Sequence, residues 1–161
     1  MEELTAQDIM TKDVVTITKD STIGDLTKLL ISNKISGVPV VDEKGKLLGM
    51  VTDGDIITED ISPFFSYYIN PFLMSYGFIE NIEEYQKDMK GYLETSVEEI
   101  MTRKVRSVKM DTPVSEVAKI MVRNKINRVP VVDNDNKLIG IIARDNIIES
   151  MVGDADKEQG Q

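Results

Sequence analysis

The sequence predicts an α+β fold made of two copies of one β-α-β-β-α unit. The stretch NKISGVPVVD at 33–42 recurs as NKINRVPVVD at 124–133, which is 91 positions later. Shifting the chain by this distance aligns 8–57 with 99–148 without a gap, and 19 of the 50 pairs are identical. Such similarity indicates an internal duplication. Because one unit buries little surface by itself, we expect the two units to pack sheet to sheet around a pseudo-twofold axis.

The first half of each copy predicts a short strand followed by an amphipathic helix. The strand is VVTIT at 14–18 in the first copy and VRSVK at 105–109 in the second. The expected helix caps are Ser21 or Thr22 in the first copy, and Thr112 followed by Pro113 at the first helical position in the second. Apolar residues then recur at i, i+3 and i+7 and predict one buried helix face. They are Ile23, Leu26 and Leu30, matched by Val114, Val117 and Met121.

The second half of each copy predicts a β-hairpin and a closing helix. VPVVD is followed by a polar turn and then by LLGMVT, or by LIGIIA in the second copy. Two β-rich runs joined by four polar residues indicate a hairpin. A last short helix is expected from about residue 53 or 144. In VPVVD we interpret Val38, Val40 and Val41 as core residues, and we expect Pro39 to end the approach to the strand.

The predicted organisation is repeat one at 1–57, a helical insertion at 58–98, repeat two at 99–152 and a flexible acidic tail at 153–161. The insertion holds all nine aromatic residues of the chain. Its run 61–79 has no charge and approaches membrane-spanning length, but prolines, serines and a glycine interrupt it, so no membrane span is expected. Short helices that present aromatic faces are expected instead. They would be a structural insertion, a lid or a partner-docking surface, and NIEEYQKDMKGYLE predicts an exposed amphipathic helix.

The composition excludes several classes of function. Cysteine and histidine are both absent, which removes thiol and imidazole nucleophiles and nearly every nitrogen or sulfur zinc site. The formal net charge of −9 disfavours nucleic-acid binding, yet residues 100–149 carry ten basic and six acidic groups and suit a small anion, unless this is chance surface charge. No cationic stretch followed by an apolar run opens the sequence, so a cytoplasmic location is expected. A metal-dependent enzyme is the least favoured alternative. Its candidate carboxylates are Asp13, Asp53, Asp55 and Asp145, and the sequence indicates neither a general base nor a nucleophile beside them.

The segments GMVTDGD at 49–55 and GIIARDN at 140–146 are the best candidates for a binding function. Each places a strand end against a helix start, where backbone N–H groups favour an anion. The Thr52 hydroxyl can donate to a phosphate, and the Asp55 carboxylate can accept two hydrogen bonds from the cis-diol of a ribose. The alternative is that Thr52 is a helix cap and Asp55 an ordinary acid of the first turn. Gly49 and Gly54 have phosphate-loop spacing, but Asp55 stands where the lysine must be, so a P-loop is excluded.

The duplicated pattern resembles tandem cystathionine-β-synthase-type (CBS) domains, which together form a Bateman module. The IMT opening, the hydrophobic-Pro-Val-Val-Asp strand and the Gly-x-x-(Thr/Ala)-x-x-(Asp/Asn) ending match in both copies. The resemblance covers about 100 of the 161 residues and implies a regulatory sensor that is not an enzyme. The family's ligands are AMP, ADP, ATP and sometimes S-adenosylmethionine or cyclic di-AMP. A homodimer and a separate effector protein are further expectations, with no cofactor, no metal and no nucleic acid.

The resemblance also implies two crossed sites, in which the ending of one repeat meets the opening and the pre-proline residues of the other. Site one would contain Met50, Thr52, Asp55, Met101, Lys104, Arg106, Ile126 and Asn127. Site two would contain Ile141, Ala143, Asn146, Met10, Asp13, Val15, Ile35 and Ser36, with Arg128 and Arg144 as further phosphate contacts.

Site one is expected to bind more tightly than site two. Ala143 has no hydroxyl, and Asn146 lacks the charge of a carboxylate, which together cost on the order of 1–3 kcal/mol. Asp13 stands in site two at the place that Lys104 occupies in site one, and would repel a phosphate. Arg128 or Arg144 could compensate. The main alternative function is a structural or protein-interaction module whose clefts no longer bind.

Overall fold

The computed structural model describes residues 3–57 and 82–158 and confirms the α+β class. The elements up to the insertion are α1 (Ala6–Ile9), β1 (Ile17–Thr18), α2 (Ile23–Asn33), β2 (Gly37–Val41), β3 (Leu47–Thr52) and α3 (Asp53–Ile56). The elements after it are α4 (Ile82–Leu93), α5 (Val97–Ile100), α6 (Val114–Asn124), β4 (Arg128–Val132), β5 (Leu138–Ala143) and α7 (Arg144–Glu158). One sheet has the order β1-β2-β3, and β4 pairs with β5 in a second sheet.

The opening strands are shorter than the sequence predicted, because a proline interrupts the neighbouring strand. In the second copy only Val108 pairs with β4: its N–H donates to the Pro130 carbonyl at 3.0 Å, and its carbonyl accepts the Val132 N–H at 2.9 Å. Continuing this parallel ladder toward residue 105 would need an N–H at Pro130, which proline lacks. Pro39 holds the matching position within β2, and β1 correspondingly begins only at Ile17. The expectation that Pro39 would precede its strand was therefore wrong.

The structure separates into two compact units, each of which combines parts of both repeats. The first, here called the Thr52 unit, comprises the described parts of Ile17–Val40 and Gly49–Arg103. The second, here called the Ala143 unit, comprises the described parts of Met1–Thr16, Val41–Leu48 and Lys104–Gln161. The opening segment of each repeat thus belongs to the unit that holds the strand end of the other repeat.

The two long helices of the repeats begin differently. Thr22 caps α2 in a reciprocal capping box: Asp25 N–H donates to the Thr22 hydroxyl at 3.0 Å, and Thr22 N–H donates to the Asp25 carboxylate at 3.0 Å. The predicted cap Thr112 was wrong. Pro113 holds the cap position of α6, and the Thr112 hydroxyl instead accepts the Lys109 N–H at 3.1 Å. The Val114 N–H is satisfied by the Leu4 carbonyl at 2.8 Å, so the start of α6 needs no side-chain cap.

The predicted helix faces and hairpin strands form the core. Ile23, Leu26 and Leu30 are buried along α2, as are Val117 and Met121 along α6, whereas Val114 is half-buried. In the Ala143 unit, one buried cluster joins α6 to both strands of its sheet. Its members are Ala6, Val108, Val117, Met121, Val129, Val131 and Ile142. The interpretation of VPVVD as core is confirmed for Val38 and Val40, which are fully buried, and Val41 is half-buried.

An aspartate anchors each hairpin turn. The Asp42 carboxylate accepts the N–H groups of Lys44 and Lys46 through Oδ1, both at 2.9 Å. Asp133 does the same for Asp135 and Lys137, again at 2.9 Å. The last residue of VPVVD therefore closes the turn by satisfying its backbone donors.

The closing helices differ in length. Helix α3 spans only Asp53–Ile56, as the sequence predicted, but α7 runs from Arg144 to Glu158 and so includes residues 153–158 of the predicted tail. No proline interrupts 144–158, and most of its residues are compatible with a helix, so nothing local ends it earlier. The predicted amphipathic helix of the insertion is confirmed as α4. The uncharged run 61–79 lies outside the described residues. The hypothesis of an aromatic lid concerns this run and therefore stays a prediction.

Candidate functional site

The Thr52–Asp55 segment lies where β3 ends and α3 begins. Thr52 N–H donates to the Asp55 carboxylate through Oδ2 at 2.8 Å, so Asp55 caps the first turn. The Thr52 hydroxyl lies 3.4 Å from the same oxygen, which is long for an O–H···O hydrogen bond. Both contacts use Oδ2, and Oδ1 has no partner among the described residues. The segment therefore offers a loosely held hydroxyl and one open carboxylate oxygen.

A backbone hydrogen bond ties Ser36, three residues before Pro39, to this segment. Asp53 N–H donates to the Ser36 carbonyl at 2.8 Å. Thr52 and Asp55 are half-buried, whereas Ser36 and Ile35 are exposed. The strand end thus stands beside an accessible surface rather than in the core.

The opening of the second repeat pairs with β3 in the same unit. Met50 and Thr102 exchange two backbone hydrogen bonds, at 3.0 and 2.8 Å. Gly49 allows this approach, because a Cβ at that position would lie 2.6 Å from the Thr102 carbonyl oxygen. Met50 and Met101 are both buried. The structure therefore brings together four residues predicted for site one: Met50, Thr52, Asp55 and Met101.

The Ala143–Asn146 segment reproduces this arrangement in the Ala143 unit. Ala143 N–H donates to Asn146 Oδ1 at 2.8 Å, and Arg144 N–H donates at 3.1 Å to the carbonyl of Asn127, three residues before Pro130. Ile141 exchanges two backbone hydrogen bonds with Thr11, at 2.9 and 3.0 Å. Each of these contacts repeats one of the Thr52 unit at the 91-residue offset.

The two units divide the predicted site residues in a definite way. The members of site one in the Ala143 unit are Lys104, Arg106, Ile126 and Asn127. The members of site two in the Ala143 unit are Ile141, Ala143, Asn146, Met10, Asp13 and Val15, and those in the Thr52 unit are Ile35 and Ser36. Half of the residues predicted for site one and most of those predicted for site two thus fall within a single unit.

The two arginines proposed to assist site two have different surroundings. Arg144 lines an apolar groove between α6 and α7, together with Ala118, Val122 and Ile148. Residues two apart on a helix do not face each other, so Arg144 and Asn146 point in different directions. This geometry does not support the idea that Arg144 replaces the missing threonine hydroxyl. Arg128 is half-buried at the start of β4.

Neither a metal centre nor a membrane-spanning helix is found in the part of the chain that the structure describes. No three acidic side chains there come close enough together to hold an ion. No described helix combines the length and apolar character needed to cross a bilayer. Asp53 and Asp55 belong to the Thr52 unit, whereas Asp13 and Asp145 belong to the Ala143 unit.

Comparison with known proteins identifies the family. The family model described as the CBS domain matches this chain twice, at 6–62 and 97–153. The chain belongs to the CBS domain family. Protein MJ1426 of Methanocaldococcus jannaschii is 36% identical over 157 residues, which cover 94% of this chain and 93% of that protein. The chain spans 23% of one longer curated relative and 63% of two others.

Two similar crystal structures of CBS pairs contain adenosine compounds. CBSX2 of Arabidopsis thaliana in complex with AMP has a TM-score of 0.68 and 27% identity, and the match covers 92% of this chain and 96% of that one. The CBS pair of MJ0100, in complex with 5′-methylthioadenosine and S-adenosyl-L-methionine, has a TM-score of 0.68 and 28% identity. That match covers 95% of this chain and 99% of the other. The resemblance inferred from the IMT, VPVVD and strand-end motifs is thereby confirmed.

One contact beside the candidate site was not predicted from the sequence. The Tyr92 hydroxyl donates to the Ile56 carbonyl at 2.6 Å and ties α4 of the insertion to the end of α3. Nothing in the sequence separates Tyr92 from the other eight aromatic residues of the insertion. A pairing over 36 positions carries no local signal.

Proposed function

We propose that this CBS pair is a regulatory module that binds an adenosine nucleotide such as AMP, ADP or ATP, and acts on a separate effector protein without catalysing a reaction. The observation that carries the proposal is the open hydrogen-bonding capacity of Thr52 and Asp55 at the end of β3. The likeness to CBS pairs whose crystal structures contain AMP, 5′-methylthioadenosine and S-adenosyl-L-methionine supports the adenosine part of the ligand. The cytoplasmic location expected from the sequence remains part of the proposal.

The geometry of Asp55 suits a ribose. Its Oδ2 is occupied by the Thr52 N–H at 2.8 Å, which fixes the orientation of the carboxylate. The remaining Oδ1 can only accept hydrogen bonds, and a free diol supplies donors. Hydrogen bonds to a charged acceptor are roughly twice as strong as neutral ones. Asp55 would therefore select ligands that keep a free ribose hydroxyl.

The loosely held hydroxyl of Thr52 suits a phosphate. The Thr22 hydroxyl, by comparison, is held as a helix cap by accepting the Asp25 N–H at 3.0 Å. Thr52 also stands in a capping box with Asp55, but its side chain makes no full cap hydrogen bond, and its hydroxyl lies 3.4 Å from Asp55 Oδ2. Helix α3 has four residues, so aligned backbone dipoles add little there, and the hydroxyl is the main donor. Lys104 and Arg106 remain the proposed cationic partners of the phosphate.

Ligand binding would regulate by favouring one arrangement of the module over another. In this proposal the nucleotide binds the ending of one repeat and, at the same time, the opening and pre-proline residues of the other repeat. A ligand shifts such an equilibrium only by its difference in affinity for the two arrangements. The effector protein would then bind one arrangement better than the other.

The alternative is a protein-interaction module whose clefts no longer bind a ligand. The capping contact favours this alternative, because the Thr52 N–H and one Asp55 oxygen already satisfy each other without a ligand. It predicts that substitution of Asp55 affects stability alone.

Thermal unfolding with and without ligand separates the two functions. The panel is AMP, ADP, ATP, S-adenosylmethionine, 5′-methylthioadenosine and cyclic di-AMP. A ligand at 100 times its dissociation constant should raise the free energy of unfolding by about 2.7 kcal/mol, or several degrees in Tm for a chain of this size. The increase should disappear in Asp55→Ala.

The matched control is Asp25→Ala, because Asp25 accepts a backbone N–H from a threonine three residues earlier, as Asp55 does. This variant should unfold at a lower temperature but keep the full ligand-induced increase. If no ligand raises the Tm of the folded native chain, the interaction module is the better explanation. Equal loss of the increase in both variants would show that Asp55 acts through stability alone.

A homodimer is also part of the proposal. Ile31 and Val122 hold matching positions in the two repeats and are 73% and 78% exposed. Ile57 and Ile148 form a second matching pair, 60% and 58% exposed. Large apolar side chains exposed at equivalent positions suit a subunit interface. Sedimentation equilibrium should show a dimer that Ile31→Glu combined with Val122→Glu converts to a monomer, and a monomeric native chain would contradict it.

A further inference from the structure

The orientation of the Asn146 side chain is fixed by the backbone. Ala143 N–H donates to Asn146 Oδ1 at 2.8 Å, and a backbone N–H can only donate. The carboxamide oxygen must therefore face Ala143, which settles the usual ambiguity between oxygen and nitrogen. The amide nitrogen Nδ2 then points away from the backbone, and it has no hydrogen-bond partner among the residues in the described ranges.

The matching position in the other repeat has the opposite hydrogen-bonding character. Thr52 N–H donates to Asp55 Oδ2 at 2.8 Å, so the geometry of the cap is the same. The second atom of the group is Oδ1 in Asp55, which only accepts, and Nδ2 in Asn146, which only donates. The hydroxyl of Thr52 is also missing at Ala143. The Asp55 side chain thus presents an acceptor to a ligand and the Asn146 side chain presents a donor, while the Thr52 hydroxyl adds a donor at the first strand end only.

The charges of the two segments differ in the same direction. Thr52–Asp55 contains the carboxylates of Asp53 and Asp55, whereas Ala143–Asn146 contains Arg144 and Asp145, which balance each other. A negatively charged ligand group is therefore repelled less at Ala143–Asn146. Arg144 lines the apolar groove beside Ile148. Even without its guanidinium, Ala143–Asn146 has one carboxylate where Thr52–Asp55 has two.

We propose that the Ala143–Asn146 end selects nucleotides whose ribose carries a group that only accepts hydrogen bonds, such as a phosphate ester, whereas the Thr52–Asp55 end requires the free diol. The proposal rests on the proposed function, since it assumes that both strand ends bind nucleotides. It differs from a simple weakening of the second site, because each end prefers a different chemical class. A carboxylate at Asp55 excludes the phosphate ester by charge and by its lack of a donor.

Amide NMR spectra of the full chain test this selectivity, because each strand end has its own reporters. The backbone N–H groups of Thr52 and Ala143 report on the two caps, and the Asn146 side-chain NH2 signal reports directly on the proposed donor. The probes are 5′-AMP, adenosine 2′,5′-bisphosphate and adenosine 3′,5′-bisphosphate. A bisphosphate should shift the Ala143 and Asn146 signals, and 5′-AMP should shift the Thr52 signal at lower concentration than the others.

Two exchanged variants should reverse the preference. Asn146→Asp recreates the cap found at Asp55, so the fold should be preserved, and bisphosphate affinity at Ala143 should fall about tenfold or more, which corresponds to roughly 1.4 kcal/mol. Asp55→Asn should bring a bisphosphate response to Thr52. The control Asn134→Asp adds the same charge to an exposed turn of the same unit and should change neither response. Asp13, which belongs to the same unit as Asn146, is unchanged in all of these variants.

The outcomes separate this proposal from the proposed function. If 5′-AMP shifts Thr52 while neither bisphosphate shifts Ala143, the selectivity is overturned and the nucleotide sensor stands. A bisphosphate that binds at Thr52 as tightly as at Ala143 also overturns the selectivity. If no probe shifts any of the reporters, both proposals fail.

Discussion

The two strand ends have the same backbone pairing, but the glycine beside each pairing is packed against different atoms. Met50 pairs with Thr102 in the Thr52 unit, and Ile141 pairs with Thr11 in the Ala143 unit. A Cβ at Gly49 would meet the backbone carbonyl of Thr102, whereas a Cβ at Gly140 would meet the side chain of Met10. The duplicated backbone is thus kept, while the side chains around it have diverged. Gly140 should therefore tolerate a larger residue better than Gly49, because a side chain and not a backbone lies against it.

The largest difference between the units should come from Gly49→Ala against Gly140→Ala. The new methyl at residue 49 would lie 2.6 Å from the Thr102 carbonyl oxygen, which cannot move without breaking its pairing with Met50. Gly49→Ala should lower the free energy of unfolding by about 2–3 kcal/mol, the upper part of the range for overpacking. Gly140→Ala should cost less, about 1 kcal/mol, because the Met10 sulfur and Cγ can rotate away, while the Met10 Cβ at 3.1 Å must shift slightly. Urea unfolding of the two variants measures the difference.

A second substitution tests the cause of that difference. Met10→Ala should relieve the strain of Gly140→Ala, so the two changes together should cost less than the sum of the single changes. Met101→Ala should not relieve Gly49→Ala, because the closest atom there belongs to the backbone of Thr102. Additive costs in the Met10 and Gly140 pair would show that the assignment of the contact is wrong.

The starts of the two long helices provide a smaller contrast. Thr22 caps α2 with its hydroxyl, whereas α6 starts at Pro113 without a side-chain cap. Thr22→Ala should therefore destabilise the protein by about 1 kcal/mol, the usual cost of losing a cap. Thr112→Ala should cost less, since its hydroxyl closes a turn with the Lys109 N–H and does not cap a helix. Equal losses of Tm in the two variants would contradict this contrast.

The same cap makes stability depend on pH. The hydrogen bond from the Thr22 backbone N–H holds the pKa of Asp25 below its usual value of 3.8. The folded state thus favours the ionised form, and its stabilisation is fully present above pH 3.8 and is lost as the pH falls through the lowered pKa. The stability advantage of the native chain over Asp25→Asn should be constant from pH 7 to pH 5 and should shrink below pH 3.8. An advantage that stays unchanged down to pH 2 would refute the linkage.

The sequence predicted those features of the fold that depend on local patterns or on the repeat. Helix faces such as Leu26 and Val117, the buried Val38 and Val40, and the hairpins follow from periodicity, and the structure confirms them. The length of β1 could not be predicted in this way, because it depends on a missing N–H in a neighbouring strand. The cap at Pro113 was mispredicted for a similar reason: the Val114 N–H is satisfied by Leu4, more than 100 positions away in the chain.

The candidate site shows the same division. The strand-end motifs indicated Thr52 and Asp55, and their mutual hydrogen bond follows from a spacing of three residues at a helix start. The motif does not reveal that the Thr52 hydroxyl is held loosely: both threonines stand in capping boxes of the same spacing, but only the Thr22 hydroxyl makes a cap hydrogen bond. Nor does it show which atom of Asn146 faces outward. Such differences arise from the local path of the backbone, which the residue types leave undetermined.

The smallest contrast lies at the two hairpin tips, where matching residues of the two repeats pair with each other. Lys46 and Lys137 hold matching positions and face each other in an antiparallel bridge, with Leu47 N–H bonded to the Asn136 carbonyl and Leu138 N–H to the Gly45 carbonyl, both at 3.0 Å. This pattern leaves the two lysines as a non-hydrogen-bonded pair, in which side chains are closest. Like charges placed directly opposite are destabilising.

Lys46→Glu should therefore stabilise the protein, by about 0.5 kcal/mol at low salt. The gain should shrink in 1 M salt, which screens exposed charges beyond about 3 Å. Lys44→Glu is the matched control, because it makes the same change of charge in the same turn without an opposing lysine in the bridge. Urea unfolding at both salt concentrations measures the effect. An equal gain in both variants would mean that the overall charge, and not the symmetric pairing of Lys46 with Lys137, determines stability at the tip.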